Sequence, residues 1–119
     1  MFTIDSRPPR IIFMGTPEFA VPILAAIAEK IAPPVLVVSQ PDRPKGRGRS
    51  TLEPTPVRAL AERLGVPILQ AAKLRTPEFL GALKAAAPDL IVVAAYGRIL
   101  TEAHLSVPRL GCINVHASL

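Results

Sequence analysis

The chain has 119 residues, half of them apolar, which is enough for one modest hydrophobic core and too few for two domains. Its single cysteine excludes an internal disulfide and a zinc site built from several cysteines, so a reducing, cytoplasmic compartment is expected. Fourteen Lys and Arg against nine Asp and Glu give a net charge of +5, which makes polyanions plausible partners, and no apolar stretch reaches the length of a membrane span.

The first third of the chain reads as strand, helix and strand. Residues 10–14, RIIFM, form a short run of four apolar residues after an arginine and predict a strand that ends at Gly15. Thr16, followed by Pro and Glu, has the features of a helix N-cap, so a helix is predicted over residues 16–30. Residues 34–39 predict a second strand, whose continuous apolar run suits a parallel strand covered on both faces.

The stretch 40–54 is rich in Pro and Gly and is predicted to be a long loop without regular structure. Four cations lie within seven of its positions: Arg43, Lys45, Arg47 and Arg49. Such a loop can contact a phosphodiester backbone, although a solvated basic loop that only aids solubility is the simpler interpretation. The loop has no aromatic residue, so base stacking is not expected there.

Further helices and strands alternate through the rest of the chain. Thr55 and Thr76, each followed by Pro, predict the starts of two helices. The TPEF sequence occurs at 16–19 and again at 76–79, and we interpret it as shared capping chemistry and not as a repeat. The residues between the last two strands are predicted to be a loop with one helical turn. Apolar runs predict three more strands, at 66–69, 89–96 and 111–115.

This alternation predicts a Rossmann-like α/β fold, a three-layer parallel sheet with helices on both faces. Ligands of such sheets bind outside the carboxyl ends of the strands. Gly15, the loop 40–54, residues 96–100 and residues 114–116 all follow strands, so a site is expected where they converge.

Asn114 and His116 alternate with a valine and therefore face the same side of the last strand. An imidazole and a carboxamide together can stabilise the oxyanion of an acyl-transfer intermediate, although a lone histidine at a strand end is more commonly structural or exposed. His104 and Cys112 are interpreted as structural. Ser118 is too close to His116 in sequence for a nucleophilic triad, and no carboxylate is placed to hold the imidazole protonated.

The Gly15-Thr16 turn at a helix start could bind an anion through backbone amides. A turn glycine followed by a helix cap explains the same residues equally well. The G-x-G-x-x-G spacing of a dinucleotide site is absent, so a plain nucleotide-binding domain has little support.

Four stretches together resemble the methionyl-tRNA formyltransferase family. They are RIIFMGTPEFAVPIL at 10–24, SQPDRPKGRGR at 39–49, AAYGRIL at 94–100 and GCINVHASL at 111–119. The basic loop is the most specific of them, because other formyltransferases are expected to share the Asn-x-His strand but not this loop.

The resemblance implies transfer of a formyl group from 10-formyltetrahydrofolate to initiator methionyl-tRNA in translation initiation, without a metal. It implies that Asn114 and His116 polarise the formyl carbonyl and stabilise the oxyanion. The residues implied in folate binding are Tyr96, Gly97, Arg98, Ile99, Leu100, Ser118 and Leu119. The residues implied in tRNA binding are Arg43, Lys45, Arg47, Arg49, Gly15 and Thr16.

The resemblance also implies that residues 1–119 are the N-terminal part of a catalytic domain whose sheet is cut off after about the fifth strand. A catalytic aspartate and a C-terminal tRNA-binding barrel domain would lie beyond, so this chain alone is expected to be inactive. The full-length protein is expected to be monomeric, whereas the exposed edge of the last strand is expected to promote self-association of this chain. Two alternatives remain open: a formyltransferase acting on another amine, such as an amino sugar or a nucleotide precursor, and a non-catalytic RNA-binding module.

Overall fold

The computed structural model describes residues 7–45 and 51–116. The helices are α1 (Val21–Lys30), α2 (Pro56–Leu64), α3 (Pro77–Ala85) and α4 (Glu102–Leu105), with a 3-10 turn at Glu18–Ala20. The strands are β1 (Ile11–Gly15), β2 (Leu36–Ser39), β3 (Arg43–Lys45), β4 (Thr51–Glu53), β5 (Ile68–Gln70), β6 (Leu90–Ala94) and β7 (Cys112–Val115).

Five of the strands form one parallel sheet in the order β5, β2, β1, β6, β7. The first strand lies at its centre, with Phe13 in register with Val37 on one side and Val92 on the other. Because all neighbours run in the same direction, the carboxyl ends of the strands meet at one edge of the sheet.

Helices cover both faces of this sheet. Alternate residues of β1 point to opposite faces, so Phe13 and Met14 belong to different apolar clusters. The Phe13 cluster includes Leu24 of α1 and Val57 of α2, whereas the Met14 cluster includes Phe79 of α3. The predicted three-layer α/β architecture is therefore confirmed.

The prediction of a helix over residues 16–30 is wrong at its start. Thr16 is not an N-cap; a 3-10 turn comes first and α1 begins only at Val21. In a helix beginning at residue 16, Pro22 would lie in the interior, where its ring clashes with the carbonyl of Glu18 and no N–H is available to bond it. Pro22 instead occupies the first turn of α1, where proline is tolerated.

The shared capping chemistry predicted for the two TPEF sequences is accordingly wrong, because only the second caps a helix. The Thr76 side chain accepts a hydrogen bond of 3.1 Å from the backbone N–H of Phe79. The predicted start of α2 is confirmed, since the Thr55 hydroxyl accepts from the N–H of Arg58 at 3.2 Å.

The loop 40–54 is not devoid of regular structure, as it was predicted to be. β3 and β4 pair antiparallel, with Arg43 opposite Glu53, and we call residues 43–53 the basic hairpin. Proline is tolerated in such a two-stranded ribbon because its missing N–H can face outward, so Pro44 does not prevent pairing. Residues 46–50 lie outside the described part of the chain.

The predicted helical turn before the last strand is α4, and it is built around a buried histidine. Nδ1 of His104 accepts from the N–H of Thr101 at 3.1 Å, so Nε2 carries the proton and donates to the Leu74 carbonyl at 3.0 Å. The structural interpretation of His104 is confirmed.

Cys112 is half-buried and packs at the margin of the Met14 cluster, not inside it. In the described part of the chain, none of the helices is long and apolar enough to cross a membrane.

Candidate active site

An open cleft of about 870 Å³ lies at the carboxyl edge of the sheet. Three segments line it: residues 72–75 after β5, residues 95–99 after β6, and residues 114–116 at the end of β7. Of the strand ends predicted to converge on a site, those at residues 96–99 and 114–116 line the cleft. Gly15 and the described residues of the loop 40–54 do not line it, and the segment after β5 was not predicted.

Asn114 and His116 both line this cleft and are both exposed. β7 pairs with β6 so that Asn114 lies beside Val93 and Val115 beside Ala94. Val115 packs against the Phe13 cluster. The alternation along β7 therefore presents the carboxamide and the imidazole together beside the segment that follows β6.

The segment after β6 has an unusual backbone. Ala95 and Gly97 have φ values of 53° and 84°. The positive φ of Gly97 favours glycine, and a Cβ there would lie 2.5 Å from Nε2 of Gln40, so the Gln40 side chain would have to move. Tyr96 is buried, its hydroxyl has no hydrogen-bond partner in the described part of the chain, and burial raises the pKa of this phenol.

The sequence-predicted folate residues divide into three groups. Residues 96–99 line the cleft. Leu100 does not; it packs against the Met14 cluster, because the chain turns there into the cap of α4. Ser118 and Leu119 lie outside the described residues.

The cleft is rimmed by cations. Lys73, Arg75 and Arg98 line it, whereas no Asp or Glu does so among the described residues. Sequence reasoning missed Lys73 and Arg75, although the rule that sites lie beyond strand ends would have found them if applied to β5. This charge distribution favours an anionic ligand.

Gly15 and Thr16 are buried and have structural roles. A Cβ on Gly15 would lie 2.7 Å from the Ala94 carbonyl oxygen. The Thr16 hydroxyl accepts from the N–H of Gln40 at 3.2 Å and donates to the Tyr96 carbonyl at 3.4 Å. Both residues are buried in the sheet edge, and the contact with tRNA predicted for them stays a prediction.

The basic hairpin leaves the sheet at the same edge, since β3 follows β2. Arg43 and Lys45 lie in β3, and Arg47 and Arg49 lie outside the described residues. Just before β3, Asp42 pairs with Arg58 and accepts a hydrogen bond of 2.6 Å from Nε2 of Gln70. These contacts anchor the hairpin base to α2 and β5.

Across residues 7–45 and 51–116, no three His, Cys, Asp or Glu side chains lie close enough together to hold a metal ion.

Comparison with known proteins gives one consistent family. Residues 9–119 match the family model described as Formyl transferase. The methionyl-tRNA formyltransferase of Geotalea uraniireducens is 56% identical over 92% of this chain, and that of Myxococcus xanthus is 58% identical over 93%. This chain covers 35% of each of these two proteins, so it spans about a third of the length of the curated relatives it matches.

Solved structures share the fold. The glycinamide ribonucleotide transformylase 1 of Symbiobacterium toebii superposes with a TM-score of 0.67 at 20% identity, covering 97% of this chain and 54% of that one. The corresponding protein of Geobacillus kaustophilus has a TM-score of 0.65 at 24% identity, covering 95% and 60%. The predicted fold class and the resemblance read from the sequence are both confirmed.

Proposed function

This chain belongs to the formyl transferase family, and we propose that it forms the N-terminal part of a catalytic domain that formylates initiator methionyl-tRNA from 10-formyltetrahydrofolate in translation initiation. The observation that carries this proposal is that Asn114 and His116 line one cleft with residues 95–99. The names of relatives 56% and 58% identical to this chain support the choice of substrate.

Asn114 and His116 are proposed to act on the formyl carbonyl. The methionyl amine attacks the formyl carbon and a C–N bond forms. The bond between that carbon and N10 of the folate then breaks, N10 leaves with the electron pair, and the proton lost by the amine ends on N10. Negative charge develops on the formyl oxygen in between. The N–H groups of the Asn114 carboxamide and the His116 imidazole can donate to it, and removing one such donor typically costs about 100- to 1,000-fold in rate.

The cleft is proposed to bind the folate. Its volume of about 870 Å³ is within the range of small-molecule sites. The backbone of residues 95–99 offers peptide groups to the pterin, and Ser118 and Leu119 are proposed to continue this wall. Lys73, Arg75 and Arg98 provide the positive charge that a folate glutamate carboxylate requires.

The basic hairpin is proposed to hold the tRNA through its phosphates. Arg43, Lys45, Arg47 and Arg49 supply charge without aromatic groups, which suits backbone contact without base readout. A cytoplasmic location, where tRNA is formylated, and formyl transfer without a metal are part of the same proposal.

No carboxylate lines the cleft in the described part of the chain. We therefore propose that an aspartate outside this chain supports the His116 imidazole. The 119-residue chain should bind its ligands but leave formylation at background when incubated with labelled donor and methionyl-tRNA. Measurable transfer would contradict this part of the proposal.

Folate binding is tested by calorimetry with 5-formyltetrahydrofolate, a stable formylated folate. We expect the chain to bind it and Arg98→Ala to weaken the affinity several-fold, because Arg98 lines the cleft. Lys84→Ala is the matched control, since Lys84 is exposed on α3 and does not line the cleft. Absence of binding by the unaltered chain would contradict the proposal.

RNA binding is tested by the salt dependence of its affinity for methionyl-tRNA. Neutralising the four cations of the hairpin should reduce the slope of log K against log salt by roughly 3. The matched control neutralises four cations outside the hairpin and the cleft: Lys30, Arg63, Lys84 and Arg109. Folate binding without RNA binding would indicate a formyltransferase acting on another amine, and RNA binding without folate binding would indicate an RNA-binding module.

A further inference from the structure

Gln40 lies shortly before the basic hairpin in the chain and is hydrogen-bonded to three other segments. Its side-chain Nε2 donates to the Tyr96 carbonyl at 2.6 Å. Its backbone N–H donates to the Thr16 hydroxyl at 3.2 Å, and its carbonyl accepts from Nε2 of Gln70 at 3.3 Å. Gln40 is half-buried, so these bonds are partly shielded from water.

On the hairpin side, the connection passes through Gln70. Nε2 of Gln70 also donates to a carboxylate oxygen of Asp42 at 2.6 Å, and the other oxygen of that carboxylate pairs with Arg58. Asp42 directly precedes β3. A movement of Asp42 at the hairpin base would therefore displace the Gln70 side-chain amide, which also donates to the Gln40 carbonyl.

On the cleft side, the Gln40 carboxamide supports the backbone at Tyr96 and Gly97. It bonds the Tyr96 carbonyl, and its Nε2 occupies the space where a Cβ on Gly97 would lie. Gly97 has a positive φ of 84° and lines the cleft. The position of this wall therefore depends on a side chain whose own backbone carbonyl is linked to Asp42, at the hairpin base, through the Gln70 amide.

We propose that Gln40 is a positioning residue that couples the basic hairpin to the cleft, so that a polyanion on the hairpin changes the affinity of the cleft for the formyl donor. The identity of the two ligands rests on the proposed function, whereas the coupling resides in hydrogen bonds within this chain. Because coupling is reciprocal, the donor must change the affinity for the polyanion by the same factor.

The coupling is tested first without any ligand, by a double-mutant cycle read at the Gly97 amide in ¹H–¹⁵N spectra. Asp42→Ala removes both acceptors at the hairpin base, and Gln40→Glu keeps the side-chain shape but cannot donate to the Tyr96 carbonyl. We expect Asp42→Ala to shift the Gly97 resonance in the native background and to leave it in place in the Gln40→Glu background. Equal shifts in both backgrounds, or no shift in the native one, would overturn the proposal.

Two further variants make this measurement specific. Glu62 is the other acidic partner of Arg58, with its carboxylate 2.9 Å from Nε of the arginine. The Glu62 carboxylate does not bond Gln70, so Glu62→Ala should leave the Gly97 resonance in place. Gln40→Ser removes the reach of the side chain without adding charge. Gln40→Ser replaces Gln40→Glu in the cycle if the half-buried carboxylate of the glutamate prevents folding.

The ligand measurement compares the Kd of 5-formyltetrahydrofolate with and without a saturating RNA hairpin that carries the methionyl acceptor stem. We expect a change of about 5-fold or more in the unaltered chain and less than about 2-fold in Gln40→Glu. The same factor in both chains, or no change in the unaltered chain, would refute the coupling. If neither ligand binds, the proposed function fails, and the ligand-free cycle still decides the role of Gln40.

Discussion

The Thr16 hydroxyl connects two loops at the carboxyl edge of the sheet, and its removal should have a defined cost. Thr16 is 5% exposed and bonds the N–H of Gln40 and the carbonyl of Tyr96. Thr16→Val keeps the shape of the side chain and removes the hydroxyl. The Tyr96 carbonyl retains the bond from Nε2 of Gln40, so only the Gln40 N–H loses its acceptor, the Thr16 hydroxyl.

One partly buried donor without a partner costs about 1–3 kcal/mol. We therefore expect Thr16→Val to lower the free energy of unfolding by about 2 kcal/mol, which lowers Tm by roughly 8 °C in a chain of this size. The measurement is urea denaturation followed by far-UV circular dichroism, with the Tm from a thermal scan. Hydrogen exchange at the Gln40 amide should become faster in the same variant.

Thr16→Ser is the matched control, because it keeps the hydroxyl and loses one methyl group, worth about 0.8 kcal/mol. Its stability should lie between those of the unaltered chain and Thr16→Val, with the Gln40 amide still protected. A valine variant as stable as the unaltered chain, or more stable than the serine variant, would refute the reasoning.

Three other properties can be measured on the same chain. The backbone N–H of Arg10, at 2.8 Å, and the Arg109 side chain lower the pKa of Asp89 below its ordinary 3.8. Because the pKa of Asp89 is lower in the folded state, its carboxylate stabilises the fold above about pH 4 and loses this effect as the pH falls through the folded pKa. In Asp89→Asn, the free energy of unfolding measured in urea should therefore fall less steeply at acid pH than in the unaltered chain. The same fall in both chains would contradict this. Burial raises the pKa of the Cys112 thiol above 9.0. Iodoacetamide should therefore alkylate Cys112 more slowly than free cysteine at neutral pH. An equal rate would show that the thiol is not shielded. Ile113 is 49% exposed on β7, which lies at the edge of the described sheet. A lysine at this position should therefore reduce the self-association expected of the chain, so Ile113→Lys should sediment more nearly as a monomer. An unaltered chain that stays monomeric at high concentration would count against this.

Local signals in the sequence predicted the elements well. Thr55 and Thr76 cap helices because a threonine oxygen reaches an N–H only three residues ahead, a distance that depends on few neighbours. Thr16 has the same local sequence and fails as a cap because Pro22 disallows a helix that starts so early. The failure was therefore also readable locally, from a proline six positions further on.

The basic hairpin was missed because Pro and Gly in its sequence outweigh the weak pairing signal of two three-residue strands. Strand pairing depends on the partner strand more than on intrinsic preference, so composition alone could not identify it. The departure of the hairpin from the same edge of the sheet as the cleft was predicted correctly, because it depends only on where β2 ends.

The sequence by itself determined the alternation of strands and helices, the placement of Asn114 and His116 on one side of β7, and the cluster of cations between β2 and α2. These features follow from periodicity and charge over a few residues. Only the tertiary structure decided that Thr16 is buried and that Gln40 bonds a carbonyl 56 residues away. The physical reason is that strand order and long-range hydrogen bonds depend on how the layers pack, and packing brings together residues whose separation along the chain carries no local signal.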